Sequence, residues 1–548
     1  MSEKLSAERE EASTTSESAP KASSSRLRAV GVVSLATMLS RILGLVRDMV
    51  FAALFRRAAT DAYAVAFMLP NLLRRLLAEG ILSTAFIPVF TSYLDEEDSV
   101  KERVYGSVFG AFFILLVLTT IVGVWFAPWL VKVFAPGFSA ERFALAVYLT
   151  RWMFPFILLV GLASFWTGIL HTYRHFTAPA FGPLLLNIGI ISCALTMRNL
   201  FPANFAITAM AIGVLVGGVL QLILQVMALA RLGVKVRFLI DFKHPALKEI
   251  LWLMGPTLLG LGVYQLNMLV SSMIASLLAK GSITYIYCSN RLMELPLGVI
   301  AVAFATVNLP TLSAKADSKD WEGFHETLLF GVRGVLFACI PAAFGLYMVR
   351  EPIIGVLFQR GLFTYVDTLK CAAIFAPAAF GLIFVGALRN LTPAFYAMKD
   401  TKTPVKIAFV GFIFNALCSV AFAFAFQVKS VPFALGWGLG ATGLTLANTC
   451  SALLSVGLSL WLLHRKIGPF EISGVWKSAG RVLLASLAMS VVLWFLVPLG
   501  PWTKGSFVLR ATWLAGLIAI GGSVFVVIAY LLRVPELHQA VQKIRRKL

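Results

Sequence analysis

Several arginines lie inside long apolar runs of this 548-residue sequence, where a charged side chain needs an explanation: Arg41, Arg47, Arg74 and Arg291. An arginine at the centre of a membrane-spanning helix costs about 2.5–3.5 kcal/mol on insertion scales, and that cost becomes tolerable when the side chain faces a hydrated cavity. A guanidinium group stays charged and grips phosphate oxygens through two parallel hydrogen bonds. The pattern predicts an internal anion-binding cavity that would suit a diphosphate.

The same runs contain further charged residues that could support such a cavity. In a helix, Arg41 and Asp48 lie within about 20° of each other, whereas Arg47 points about 100° away from Asp48. Arg74 has no obvious local partner, and Glu294 follows at a spacing that permits partial pairing with Arg291. The four arginines are therefore candidates for substrate binding, with structural salt bridges or positions near the membrane surface as the alternative, and Asp48, Asp61, Arg75, Glu79 and Glu294 are candidates for a supporting role.

For four of the five supporting residues a purely structural interpretation is favoured. Arg75 and Glu79 are four residues apart, so they can neutralise each other on one helix face. Asp61 directly follows Thr60 at the start of the second apolar run, where it is expected to cap the helix. Asp48 is expected to be the structural partner of an arginine.

The composition determines the environment of these charges. Hydrophobic residues make up 59% of the chain and charged residues only 13%, whereas soluble domains are about half apolar and a quarter charged. The apolar residues form fourteen runs between about residue 29 and residue 533, each close to or longer than the roughly 20 residues that span a bilayer. Since only helices satisfy their own backbone in lipid as isolated segments, we predict an all-α integral membrane protein with fourteen transmembrane helices.

The formal net charge of +21 does not indicate nucleic-acid binding, because the basic residues concentrate in short loops between apolar runs. Lys and Arg are enriched in cytoplasmic loops. The richer loops lie on the side that carries both ends of the chain, so we predict that both termini are cytoplasmic.

Internal similarity predicts two related halves. Ala62-Tyr63 and Thr284-Tyr285 open runs in corresponding positions, and Phe86-Ile87-Pro88 and Asn308-Leu309-Pro310 follow at the same offset. Transporters built from repeats place their site where the repeats meet. The predicted organisation is a disordered extension (1–27), an N-terminal lobe (28–232), an interfacial linker (233–246), a C-terminal lobe (247–465) and two final helices with a basic tail (466–548).

No pattern in the sequence indicates an enzyme or a cofactor site. The motifs of metalloproteases, P-loop nucleotide-binding proteins and serine hydrolases are absent from the sequence. The six cysteines lie in or beside apolar runs without metal or redox spacing, so small buried hydrophobic residues are the simpler interpretation. We expect no catalytic residue, no metal and no cofactor.

Four strings resemble the MurJ (MviN) family of lipid II flippases: SRILGLVRD (40–48), LPNLLRRLLAEGILSTAFIPVF (69–90), APGF (135–138) and NRLMELPLGV (290–299). This family belongs to the multidrug, oligosaccharidyl-lipid and polysaccharide exporter superfamily. The resemblance covers nearly the whole chain after residue 28, and the long second string is the most specific. The N-terminal extension departs from the family's usual short start.

The resemblance implies two six-helix lobes around a central cavity, with two C-terminal helices that form a groove for a lipid tail. It implies that the cavity arginines are Arg41, Arg47, Arg74 and Arg291, and that the substrate is lipid II, moved across the bacterial inner membrane by alternating access for cell-wall synthesis. Membrane lipids and other cell-wall synthesis proteins are the implied partners. A coupling cation or the membrane potential would supply energy, although the seventh run offers only Gln265 and Asn267 as polar candidates.

Two alternatives share the same features. One is a flippase for another polyprenyl-diphosphate-linked glycan, which would use the same arginines. The other is an ion-coupled drug exporter of the same superfamily, but an exporter of cations should carry more cavity acids than arginines, and this sequence shows the reverse. A non-transporting scaffold is disfavoured by the cost of burying so many charges.

Overall fold

A computed structural model describes residues 19–74, 85–425, 440–469, 473–503 and 505–545. These residues form helices and connecting turns, and none of them lies in a β-strand. The prediction of an all-α protein is confirmed. The first helix begins at Ala19, within the segment predicted as an N-terminal extension, whose first 18 residues lie outside the described ranges.

The helices are numbered here in chain order: α1 Ala19–Leu54, α2 Arg57–Arg74, α3 Ile87–Ser92, α4 Asp98–Trp125, α5 Ala127–Phe134, α6 Ala140–Met153, α7 Phe156–Thr172, α8 Thr177–Thr196, α9 Thr208–Arg231, α10 Pro245–Ser276, α11 Ser282–Asp317, α12 Trp321–Met348, α13 Arg350–Phe358, α14 Tyr365–Ala397, α15 Lys402–Val420, α16 Gly440–Ile467, α17 Ser473–Leu496, α18 Phe507–Leu531 and α19 Pro535–Arg545. Short 3-10 and π turns follow α8, α15 and α17.

Ten helical segments among the described residues are long and apolar enough to cross a membrane. Their outward surfaces carry many large apolar side chains, such as Trp125, Trp476 and Phe495, each more than two-thirds exposed. Such surfaces are stable in hydrocarbon and unfavourable in water. The chain is therefore a multi-pass membrane protein, and the order of its helices is consistent with the predicted fourteen spans.

The chain divides into two compact units. One contains Met1–Val50, Ala66–Ala127 and Val147–Leu259, and the other contains Phe51–Val65, Pro128–Ala146 and Gly260–Leu548. The division into two lobes, a linker and two final helices was based on the internal sequence similarity, and it stays a prediction.

In the first unit, helices α8 and α9 pack closely because glycines replace side chains at their contact. A Cβ on Gly217 would lie 2.7 Å from the Cα atom of Leu186, and one on Gly189 would lie 2.6 Å from the backbone nitrogen of Gly217. Backbone atoms cannot move aside as a flexible side chain can. Close approach through small residues is the usual way in which membrane helices associate.

The connection between α9 and α10 crosses the surface of α4 in the same unit. Its backbone lies so close that a Cβ on Gly110 would meet the carbonyl oxygen of Leu239 at 1.9 Å. Phe238 packs edge-on against Phe109 and Phe113. The segment predicted as an interfacial linker is thus tied to α4 by its backbone and by an aromatic contact.

In the second unit, α17 and α18 pack on α12. Buried side chains from the three helices, among them Ile340, Leu493 and Phe525, form one apolar cluster. A Cβ added to Gly521 would lie 3.2 Å from the side chain of Leu493. A Cβ added to Gly522 would meet nothing within 4 Å. Of this glycine pair, only Gly521 serves helix packing.

We expect Gly217→Ala to lower the thermal unfolding temperature of the detergent-purified protein. The added methyl group must push α8 and α9 apart, and overpacking of this kind costs about 1–3 kcal/mol. Gly522→Ala is the matched control, because it adds the same atoms in open space and improves helix propensity by about 1 kcal/mol. Equal unfolding temperatures for the two variants would contradict the packing assignment.

Candidate functional site

The first-unit site is organised around Arg47, a buried arginine on α1. Its Nε and Nη2 atoms donate to the same Asp48 oxygen at 3.0 and 2.8 Å, and its Nη1 donates to the side-chain oxygen of Asn187 at 3.1 Å. Asn187, on α8, in turn donates to the backbone carbonyl of Ser40 at 3.1 Å. The guanidinium is therefore held in place between two helices, and its charge is partly balanced.

Asp48 was expected to share a helix face with Arg41, and the pair that forms instead is Arg47–Asp48. Adjacent helix positions diverge at Cβ, but a long arginine side chain can fold back to a neighbouring carboxylate. Arg41 itself is exposed on α1. The expectation that Asp48 is the structural partner of an arginine is confirmed, and the arginine is Arg47.

Arg74, in the last turn of α2, has a local partner that the sequence prediction overlooked. Its Nε donates to the side-chain oxygen of Asn71 at 2.8 Å. The two residues are three positions apart, which places them on one helix face. The prediction that Arg74 lacks an obvious local partner was wrong. The predicted pair Arg75–Glu79 lies outside the described residues.

Arg291 belongs to the second unit, on α11. Its Nη1 lies 2.6 Å from a carboxylate oxygen of Glu294, as the spacing predicted. The side chains of Arg291 and Glu294 are 32% and 55% exposed. An exposed pair of this kind contributes little to stability, so the arginine can exchange its carboxylate for another anion at small cost.

Asp61 does not cap its own helix, contrary to the prediction. Helix α2 begins at Arg57, one turn earlier, and the buried Asp61 carboxylate accepts hydrogen bonds from the start of α11 instead. The donors are the Gly281 nitrogen at 2.6 Å, the Thr284 nitrogen at 2.9 Å and the Thr284 hydroxyl at 2.7 Å. Arg142 lies 4.0 Å away.

This contact satisfies groups that α11 cannot satisfy itself. The residue before α11 is Gly281, with φ at +94° and no side chain to accept from the first-turn amides. A carboxylate at a helix N-terminus also interacts favourably with the helix dipole. Asp61 thereby joins the beginnings of α2 and α11, two segments more than two hundred residues apart in the sequence.

The next residue of α11, Tyr285, makes a second polar contact. The Tyr285 hydroxyl donates to Asp367, and Asp367 also accepts from the backbone nitrogen of Thr364 at 2.7 Å, which completes a capping box at the start of α14. The ends of α2, α11 and α14 are thus connected through three consecutive polar contacts within one unit.

Sequence reasoning missed the residues that orient the predicted charges: Asn71, Arg142, Asn187, Thr284 and Asp367. One signal was available, because Asn187 is a polar residue inside an otherwise apolar helix. The partners of Asp61 gave no such signal, since a glycine and a threonine at a helix start are common. Among the described residues, no group of three or more His, Cys, Asp or Glu side chains could hold a metal ion.

The arrangement gives each unit an arginine whose position is set by neighbouring groups and whose positive charge faces a neighbouring carboxylate. Arg47 has one carboxylate and one amide around three of its donor atoms, and Arg291 has one half-exposed carboxylate. Such groups attract an anion without the cost of ordering a flexible side chain. Nearby carboxylates weaken the attraction, and that favours release of the anion.

We expect Asp61→Asn to lower the unfolding temperature. The amide keeps one acceptor oxygen, but its NH2 group would face an N–H donor of α11, and loss of a buried hydrogen bond to a charged group costs about 1.5–3 kcal/mol. Asp98→Asn is the control, because the Asp98 side chain is 93% exposed. An unfolding temperature for Asp61→Asn equal to that of Asp98→Asn would contradict the anchoring role.

Comparisons with known proteins agree with the resemblance carried by the motifs. The sequence profile of the family described as "Lipid II flippase MurJ" matches residues 50–512. A "Probable lipid II flippase MurJ" from Vibrio cholerae is 35% identical over 531 residues, which cover 93% of this chain and 97% of that protein. A "Lipid II flippase MurJ" from Burkholderia cenocepacia is also 35% identical, over 82% of this chain and 86% of that protein.

Two solved structures resemble this chain in fold. The structure titled "Lipid II flippase MurJ, inward closed conformation" superposes with a TM-score of 0.74 at 28% identity, covering 91% of this chain and 98% of that one. An inward-facing multidrug transporter of the MATE family, from the MOP superfamily, has a TM-score of 0.64 at 15% identity over 82% of this chain, a likeness of fold alone. On its motifs, its helical fold and these matches, the chain belongs to the MurJ family of lipid II flippases.

Proposed function

We propose that this protein moves lipid II from the cytoplasmic to the periplasmic leaflet of a bacterial inner membrane. The observation that carries the proposal is the buried arginine Arg47, held in position by Asp48 and Asn187, in a multi-pass membrane protein whose relatives are lipid II flippases. Lipid II carries a diphosphate, and arginines bind phosphate oxygens through two parallel charge-assisted hydrogen bonds. The substrate crosses unchanged, so no catalytic group and no cofactor is required.

We propose that Arg41, Arg47, Arg74 and Arg291 bind the diphosphate while the polyprenyl tail stays in lipid along α17 and α18. The large exposed apolar side chains of these two helices, among them Trp494 and Leu531, support the second part. Alternating access then follows from rocking of the two repeats. The diphosphate can be released only if the arginines hold it weakly. The carboxylates of Asp48 and Glu294 compete with the diphosphate for the arginines and so weaken its binding.

We propose that the membrane potential assists the return of the empty, positively charged carrier, since moving one charge through 100 mV is worth about 2.3 kcal/mol. In the seventh run, Asn267 accepts a hydrogen bond from the Asn415 amide at 2.5 Å, and the buried Gln265 side-chain oxygen has no hydrogen-bond partner among the described residues. A coupling cation bound by these uncharged oxygens is the alternative energy source. Membrane lipids and other proteins of cell-wall synthesis are the proposed partners.

The substrate assignment is tested by complementation of a bacterial strain depleted of its own lipid II flippase. We expect the wild-type chain to restore growth, and Arg47→Ala and Arg291→Ala to fail at normal membrane levels, because each removes a cation that holds the diphosphate. Arg103→Ala is the matched control, since this arginine forms an exposed pair with Asp241 at 3.4 Å and should be dispensable.

The outcomes of that experiment separate two errors. If the wild-type chain does not restore growth, the substrate assignment is wrong. If both the Arg47 and the Arg291 variants restore growth in full, the assignment of these arginines to substrate binding is wrong, and the assignment of lipid II as the substrate still stands.

The proposed orientation, with both termini cytoplasmic, is tested by labelling with a membrane-impermeant thiol reagent. We expect Thr503→Cys, an exposed position between α17 and α18, to react in intact spheroplasts. Lys235→Cys, exposed in the linker after α9, should react only after lysis. The parent chain supplies the background, as four of its six cysteines are buried. The reverse labelling pattern would overturn the orientation.

A further inference from the structure

Two arginines outside the proposed transport site lie together at one end of the second unit. Arg360 follows α13, and Arg510 lies in the first turn of α18. The two helices pack against each other through the buried side chains of Val356 and Leu514. Arg360 is four residues beyond Val356 and Arg510 is four residues before Leu514, so the packing brings the two cations to the same end of the contact.

The position of Arg360 is set by two contacts. Its Nη2 donates to the carbonyl oxygen of Val356 at 2.7 Å, and the centre of its guanidinium lies 5.0 Å from the ring centroid of Phe507. Phe507 and Arg510 are three residues apart and therefore share a face of α18. Burial, and then the positive charge of Arg510, lower the pKa of Arg360.

Arg510 has an unsatisfied donor. Its Nε is buried and has no hydrogen-bond partner among the described residues. Neither arginine forms a salt bridge in the part of the chain that the structure describes. Two like charges held together, one with a buried unsatisfied donor, are unfavourable until an anion joins them.

The surroundings favour an anion that carries acyl chains. Next to Arg510 on α18, the side chains of Phe507, Val508 and Leu509 are 50%, 67% and 44% exposed. Helix α18 is one of the apolar segments long enough to span a membrane, and its first turn therefore lies at headgroup depth. The N-terminal dipole of α18 adds to the attraction for an anion. A free phosphate ion would leave the apolar surface uncovered.

We propose that Arg360 and Arg510 form a binding site for the phosphate of an anionic phospholipid, whose acyl chains cover the exposed apolar side chains at the start of α18. In the orientation predicted from loop charge, this site faces the outer leaflet. The phosphate of the bound lipid accepts hydrogen bonds from both arginines, offsets one of their two positive charges and joins α13 to α18. The proposal does not depend on which substrate the protein transports.

The test uses the full-length protein, stripped of lipid in detergent and titrated with dioleoylphosphatidylglycerol or dioleoylphosphatidylcholine. Native mass spectrometry counts the bound lipids, and the thermal unfolding temperature is measured in parallel. We expect wild type to hold one phosphatidylglycerol more tightly than phosphatidylcholine. Arg360→Gln with Arg510→Gln should weaken that lipid about tenfold or more, since charge-assisted bonds to phosphate are lost.

Arg350→Gln is the matched control. Arg350 begins α13 at the same end of the unit, but its Nη1 donates to the Tyr347 carbonyl at 2.7 Å and its guanidinium lies 4.4 Å from the Tyr347 ring centroid. Arg350 is held against its own turn and is not part of the Arg360–Arg510 pair, so the substitution should leave phosphatidylglycerol binding unchanged.

Three results would overturn the proposal: equal affinity of wild type for the two lipids, wild-type affinity in the double variant, or the same thermal stabilisation by inorganic phosphate without lipid. If the double variant does not fold, Arg510→Gln alone carries the test. The Nε of Arg510 makes no bond within the described protein, so this substitution should spare the fold and still weaken phosphatidylglycerol binding.

Discussion

The free-energy cost of holding a charge away from water governs the arrangement of this molecule. In an apolar setting, an ionised side chain must find a counter-charge, a hydrogen-bond partner or a hydrated surface. Arg47 meets this demand through Asp48 and Asn187, and Arg74 meets part of it through Asn71. These partners fix the side chains in space, so the requirement for stability also positions the groups proposed to bind substrate.

The same constraint explains how distant parts of the chain are joined. Helix starts leave backbone amides without partners, and the start of α11 uses the carboxylate of Asp61, brought in by α2. The Thr60 and Thr284 hydroxyls, which open corresponding runs of the two sequence halves, lie 2.8 Å apart in this contact. A buried carboxylate thus connects the starts of two helices that are far apart in the chain, and its loss would leave several donors unsatisfied at once.

A transporter must bind its substrate weakly enough to release it on the other side of the membrane. A substrate held by fully unpaired arginines in an apolar cavity would be released too slowly, whereas arginines already paired with carboxylates exchange one anion for another. Arg291, with a half-exposed partner, illustrates such exchange. Arg360 and Arg510 form no salt bridge among the described residues, and this difference underlies the proposal that they bind the phosphate of an anionic lipid.

The sequence by itself determined the membrane environment, the all-helical class and the family, because hydrophobic run length and local motifs are properties of short segments. It also identified the Arg291–Glu294 pair, since a spacing of three residues fixes contact within one helix. Only the tertiary structure decided that Asp48 pairs with Arg47, that Asn187 supports it from α8, and that Asp61 anchors α11. Those contacts depend on side-chain rotamers and on the packing of helices far apart in the chain, and helical periodicity carries no information about either.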